Sequence, residues 1–125
     1  SGVYINSSGV ESNNSSIFST GFIPCKGNAK STIYFKNVGF QKNSATAAYQ
    51  RITIFDANKN YIIQFNANSD GSAYQPSLAS DGTWQSFKIR ASTAGKDTSS
   101  QSLFIRVSAS YLGVDSAITV DEPIE

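Results

Sequence analysis

Phe22-Ile23-Pro24-Cys25-Lys26-Gly27, followed by Ser31-Thr32-Ile33-Tyr34-Phe35-Lys36-Asn37-Val38, is the stretch whose reading decides the fold. The first part is extended and apolar, ends at a proline, and turns through Lys26–Lys30. The second alternates: Ile33 and Phe35 share one face, and Thr32, Tyr34 and Lys36 share the other, the period of a half-buried strand. Similar patterning returns in Ile17–Ile23, Tyr49–Phe55, Tyr61–Asn66, Trp84–Ala91, Ser102–Ala109 and Ala117–Val120. Asp56-Ala57-Asn58-Lys59-Asn60 separates two of these runs and reads as a hairpin, because Asp and Asn side chains support turns. Roughly eight short strands with no amphipathic helix predict an all-β fold, an antiparallel, jelly-roll-like β-sandwich in a single domain. The shared core is expected to hold Ile33, Phe35, Ile52, Ile54, Phe87, Ile89, Ile105, Val107, Ile118 and Val120.

The other segments read as connections. Val3–Ile5 is a short apolar start, and Asn6–Ser16 is polar and Gly-interrupted, a loop or edge. Gly39–Ala48 is ambiguous, since Ala45–Ala48 is too short to stand alone as a helix. Ala67–Gly82 is a long polar loop holding Tyr74, Pro76 and Leu78, and Ser92–Ser100 is a Ser/Thr/Gly loop.

A chain of 125 residues suffices for one core, since folding at this size buries roughly two-thirds of the unfolded surface. The 39% hydrophobic fraction is low, but a 12% aromatic fraction offsets it with large side chains. A net charge of +1 offers no electrostatic footprint for nucleic acid or an anionic membrane. No apolar run approaches the ~20 residues of a helical membrane span. The single cysteine, Cys25, excludes an internal disulfide and is compatible with the bacterial cytosol. It reads as a small buried hydrophobe. Ser1-Gly2 reads as an expression remnant, and 3–125 as one module cut from a larger protein.

The ordered set Ile23-Pro24-Cys25, Ile33–Val38, Phe55–Asn60 and Leu112-Gly113-Val114-Asp115 through Glu122-Pro123-Ile124 resembles a module of bacteriophage tail, baseplate and tail-fibre proteins. The resemblance runs from about Val3 to Ile124. It implies a jelly-roll-like sandwich in the virion, attached to other virion proteins through flanking domains, with binding to host surface sugars. It brings no catalytic residue.

The chemistry is read largely from absences. With no histidine, His-based triads and the commonest metal ligand are both missing. One cysteine excludes a Cys-rich zinc site. The acids fall in predicted loops or at strand ends and read as solvated turn residues, so no enzyme is expected. Asp56–Asn60 imitates the start of an EF-hand loop, but Tyr61 stands where the turn Gly belongs and Ala67 where the bidentate Glu belongs. No cofactor is expected; a structural calcium gathered from distant loops stays open.

One positive signal remains. Faces opposite the aliphatic ones carry Tyr34 and Lys36, Tyr49 and Arg51, Trp84, Lys88 and Arg90, and Phe104 and Arg106. Aromatic rings beside guanidinium groups suit a saccharide, whose apolar face stacks while its hydroxyls or phosphate accept hydrogen bonds. The same composition suits a protein interface, an oligomer contact or plain structure. The expected glycan patch comprises Trp84, Arg90, Arg51 and Arg106, with Tyr74 or Tyr111 at its margin. Arg51 and Arg106 can join Trp84 only if their strands neighbour its strand. The function expected is passive adhesion to host polysaccharide; the alternative is a structural spacer or oligomerisation domain of a fibre.

Overall fold

The computed structural model describes residues 2–6, 8–15, 17–39, 50–66, 84–93, 95–109 and 111–121, with backbone alone at 39, 50, 51, 65, 66, 84–87, 93 and 111. The strands are β1 (Val3–Ile5), β2 (Glu11–Asn13), β3 (Phe18–Ser19), β4 (Ile23–Cys25), β5 (Thr32–Gly39), β6 (Gln50–Asp56), β7 (Tyr61–Asn66), β8 (Trp84–Lys88), β9 (Ser92–Thr93), β10 (Lys96–Asp97), β11 (Leu103–Ala109) and β12 (Tyr111–Val120). The described residues contain no helix.

Two antiparallel sheets form the sandwich. One runs β3-β11-β6-β7, with β4 also on β11; the other runs β12-β5-β8. The chain crosses between them after β4, β5, β7 and β11, and returns from β8 to β11 through the β9–β10 ladder, which gives the fold its jelly-roll character. The alternation read from the sequence points inward as expected. Ile33, Phe35, Ile52, Ile54, Ile89, Ile105 and Val107 are buried in one cluster, joined by Cys25, Val38, Ile63, Leu103 and Ala109. Ile118 and Val120 pack against it half-buried, because β12 is an edge strand. The side chain of Phe87 lies outside the described residues, as do Phe40–Tyr49 and Ala67–Thr83; Phe87 is in register with Ile33.

Three local readings need correction. Asn6–Ser16, read as a loop or edge, holds a strand at Glu11–Asn13: β1 pairs with β2, and the Asn6 side-chain oxygen accepts from the Ser8 and Val10 amides in the turn. Ile17–Ile23 is not one strand. Thr20 exchanges bonds with Val107, but Gly21 and Phe22 break the pairing, so β3 and β4 meet β11 separately. Ser92–Ser100 contains the small β9–β10 ladder.

The β1–β2 hairpin packs over part of the outer face of the five-stranded sheet. Ile5 and Ile17 are buried outside the main core. Gln64 donates to the Ile5 carbonyl and to the Thr53 hydroxyl, and the Ser19 hydroxyl donates to the Val3 carbonyl. Polar residues of β6, β7 and β11 that an isolated sheet would show to water are thereby buried with partners.

Candidate functional site: an aromatic row on the five-stranded sheet

The strand pairing keeps Arg51 and Arg106 from joining Trp84 in one patch. β8 pairs with β5, not with β6 or β11, so Trp84 belongs to the three-stranded sheet while Arg51 and Arg106 belong to the other. Trp84 is in register with Lys36, and Arg90 is exposed just beyond β8. Tyr111 begins β12 opposite Gly39. Tyr74 and the side chains of Trp84, Arg51 and Tyr111 lie outside the described residues.

Arg106 is not a surface group. It is 8% exposed, and its Nε donates to the Thr20 carbonyl at 2.8 Å. A terminal nitrogen pairs with Glu11 of the hairpin, also at 2.8 Å. The covering hairpin turns an outward strand position into a buried one.

The rest of that outer face carries something else. Pro24 is in register with Phe104, Phe104 with Phe55, and Phe55 with Tyr61. Directly opposed residues in antiparallel pairs project to the same side. A proline and three aromatics therefore form one row across β4, β11, β6 and β7. Its last member depends on an irregularity: Ile54 pairs with Ile63, but Phe55 pairs with Tyr61, so Ile62 is bulged out.

Phe22, from the break between β3 and β4, lies across the row. Its ring is 4.8 Å from Phe55 and 5.9 Å from Phe104, edge to face in both cases. Phe55 and Tyr61 repeat that geometry at 6.4 Å, the arrangement that aromatic quadrupoles favour. Phe55 is buried beneath, whereas Phe22 and Tyr61 keep 37% and 40% of their surface exposed. At the hairpin tip, Gly9 (φ +79°) lies so close to Tyr61 that a Cβ would fall 2.8 Å from its ring.

Two cations flank the row. The Lys59 ammonium lies 5.0 Å from the Phe22 centroid and 5.4 Å from that of Phe104. The Arg106 guanidinium lies 5.0 Å from the Phe22 centroid. Both are within cation–π range. The β6–β7 turn presents Lys59: Asp56 accepts from the Asn60 and Asn58 amides and the Asn60 side chain. Those bonds, led by the Asn60 amide, hold the Asp56 carboxyl below its ordinary range. Burial pushes the Tyr61 hydroxyl up, with a smaller opposing effect from a backbone bond at Gln64, so it stays neutral at physiological pH.

Among the described residues, no three His, Cys, Asp or Glu side chains gather as a metal site. Asp56, the start of the EF-hand imitation, instead organises a hairpin. Cys25 is buried, and its thiol is pushed up to about 12 by burial and then by Asp121. The row can offer apolar ring edges, a neutral phenol and an ammonium. No single strand announces it: the sequence reading noticed Phe104 with Arg106 but had no register to bring Pro24, Phe55 and Tyr61 beside them. Compared with family models, curated proteins and solved structures, the chain gives no match.

Proposed function

We propose that the chain is a non-catalytic accessory module of a phage virion protein, adhering to carbohydrate on the host surface. The supporting observation is the row Pro24–Phe104–Phe55–Tyr61 with Phe22 across it, part exposed through Phe22 and Tyr61. Sugar rings place their C–H faces against aromatics, and a few polar groups at the margin set orientation. Such a site is shallow, and many copies on a particle multiply weak contacts. The placement in a virion rests on the motif resemblance. The non-catalytic reading rests on the absence of histidine and on turn carboxylates such as Asp56 and Asp97, which bind neighbouring amides and hydroxyls.

The test is retention on a glycan array and on host cells. Phe22→Ala and Tyr61→Ala should weaken binding by about thirtyfold, the loss of one aromatic anchor, with the melting temperature largely kept. Wild-type retention by both variants would remove the row from consideration. Release of reducing ends from host polysaccharide, abolished by one Asp or Glu substitution, would overturn the non-catalytic reading.

A second reading is a spacer or oligomerisation domain. It is favoured by a cavity of about 480 Å³ between the edges of the two sheets, lined by Phe18, Val38, Val107, Ala109, Leu112 and Ile118 among others. Phe18 and Leu112 are 37% and 44% exposed. A stable trimer in mass photometry, without glycan retention, would favour it.

A further inference from the structure

We infer that the aromatic row takes acidic saccharides, with the Lys59 ammonium receiving their carboxylate or phosphate. This rests on the carbohydrate reading above and names the ligand class of that same site.

The two cations at the row differ. Arg106 is committed: its charge is paired with Glu11, its Nε donates to Thr20, and it is buried. Lys59 is exposed, and its backbone amide donates to the Asp56 carbonyl within the turn. That turn gives Lys59 a left-handed φ of +66°. Its ammonium is directed over Phe22 and Phe104. Ring faces attract a cation but do not replace the strong acceptors that three N–H donors seek.

Among the described residues, the one ion pair joins Arg106 to Glu11, so Lys59 has no carboxylate partner. The nearest acid in sequence, Asp56, is occupied by the turn it organises. A ligand lying against Phe22 and Tyr61 therefore meets a cation with donors to spare at the edge of an apolar surface. An anionic substituent satisfies both charge and donors there; a neutral hydroxyl satisfies only a donor. Partial desolvation by the rings raises the value of that contact above that of a bare surface pair.

The test is a glycan array printed with matched pairs: uronate-bearing glycans beside their methyl esters, and phosphate-bearing glycans beside their dephosphorylated forms. Wild type should prefer the acidic member by about tenfold, as a charge-assisted contact would. Lys59→Gln should bind both members equally, and Lys59→Arg should keep the preference. Lys88→Gln, on the other sheet, should behave as wild type. Raising salt from 50 to 500 mM should lower wild-type retention on acidic glycans alone, a readout that stands even if Lys59→Gln unfolds. Equal retention of both members by wild type overturns the inference and leaves the carbohydrate reading intact. An acidic preference unchanged in a folded Lys59→Gln also overturns it. No retention of any glycan overturns both.

Discussion

Neighbouring residues in one turn make opposite demands. Gly27 is buried beneath the 98–100 segment, and a Cβ there would fall 2.0 Å from the Thr98 carbonyl oxygen, a backbone atom with little room to retreat. Gly27→Ala should destabilise by about 3 kcal/mol, the upper range of overpacking. Two residues on, Ala29 is exposed and has a φ of +59° beside Asn28 at +55°. Left-handed backbone costs a Cβ-bearing residue ~1–2 kcal/mol, and glycine is spared it. Ala29→Gly should therefore be neutral to stabilising, despite the added flexibility of the unfolded chain. Denaturant midpoints are the check: that of Gly27→Ala should fall, and that of Ala29→Gly should hold or rise.

Cys25 is a further case at this scale. A thiol held up to about 12 is protonated at neutral pH, so it should resist thiol reagents at pH 8 until the chain unfolds. Its folded value lies above its ordinary 9.0. The stability it contributes is therefore complete below about pH 9 and lost as pH rises towards 12. Rapid labelling of folded protein at pH 8 would contradict this.

At the scale of elements, the N-terminal hairpin and the β6–β7 turn each depend on a charged group. Arg106 joins β11 to the hairpin through Glu11 and to the β3–β4 break through Thr20. Arg106→Met keeps much of the volume and removes those bonds; a cost of about 2 kcal/mol is expected. Glu11→Gln should cost less, because the Glu11 side chain is 57% exposed and water screens the pair. Chemical denaturation of the two variants would rank them.

In the β6–β7 turn, the Asp56 carboxyl is lowered, so its contribution is present above the ordinary carboxylate pKa and disappears as pH falls through its folded value. Amide exchange at Asn58 and Asn60, compared with that in β11, should quicken selectively on acidification below the ordinary carboxylate range. Asp56→Asn should remove that pH dependence. Because this turn carries Lys59, its loosening should also disturb the row.

At the scale of the whole molecule, one core lies between two sheets of unequal size. Ile105 is fully buried on β11, which pairs with β3, β4 and β6. Ile105→Ala should cost about 3–4 kcal/mol through lost burial and the cavity left behind. Far-UV and near-UV circular dichroism should follow a single melting transition, lowered together. Loss of the near-UV signal alone would show that the sheets separate before they melt.

The sequence by itself determined which side of β5, β6 and β11 enters the core. Alternation along Thr32–Lys36, Arg51–Phe55 and Leu103–Val107 is local: the pleat sends successive side chains to opposite faces, and apolar residues take the dry one. The Asp56–Asn60 turn was equally legible, because one side chain caps the amides two and four residues ahead. Only the tertiary structure decided which strands became neighbours and what covered their outer faces. It separated Trp84 from Arg51 and Arg106 by pairing β8 with β5. It buried Arg106 beneath a hairpin that begins about a hundred residues earlier in the chain. It aligned Pro24, Phe104, Phe55 and Tyr61 through pairings between distant segments and one bulge at Ile62. Register across a sheet follows from the joint packing of all strands around the core, and no single strand's pattern contains it.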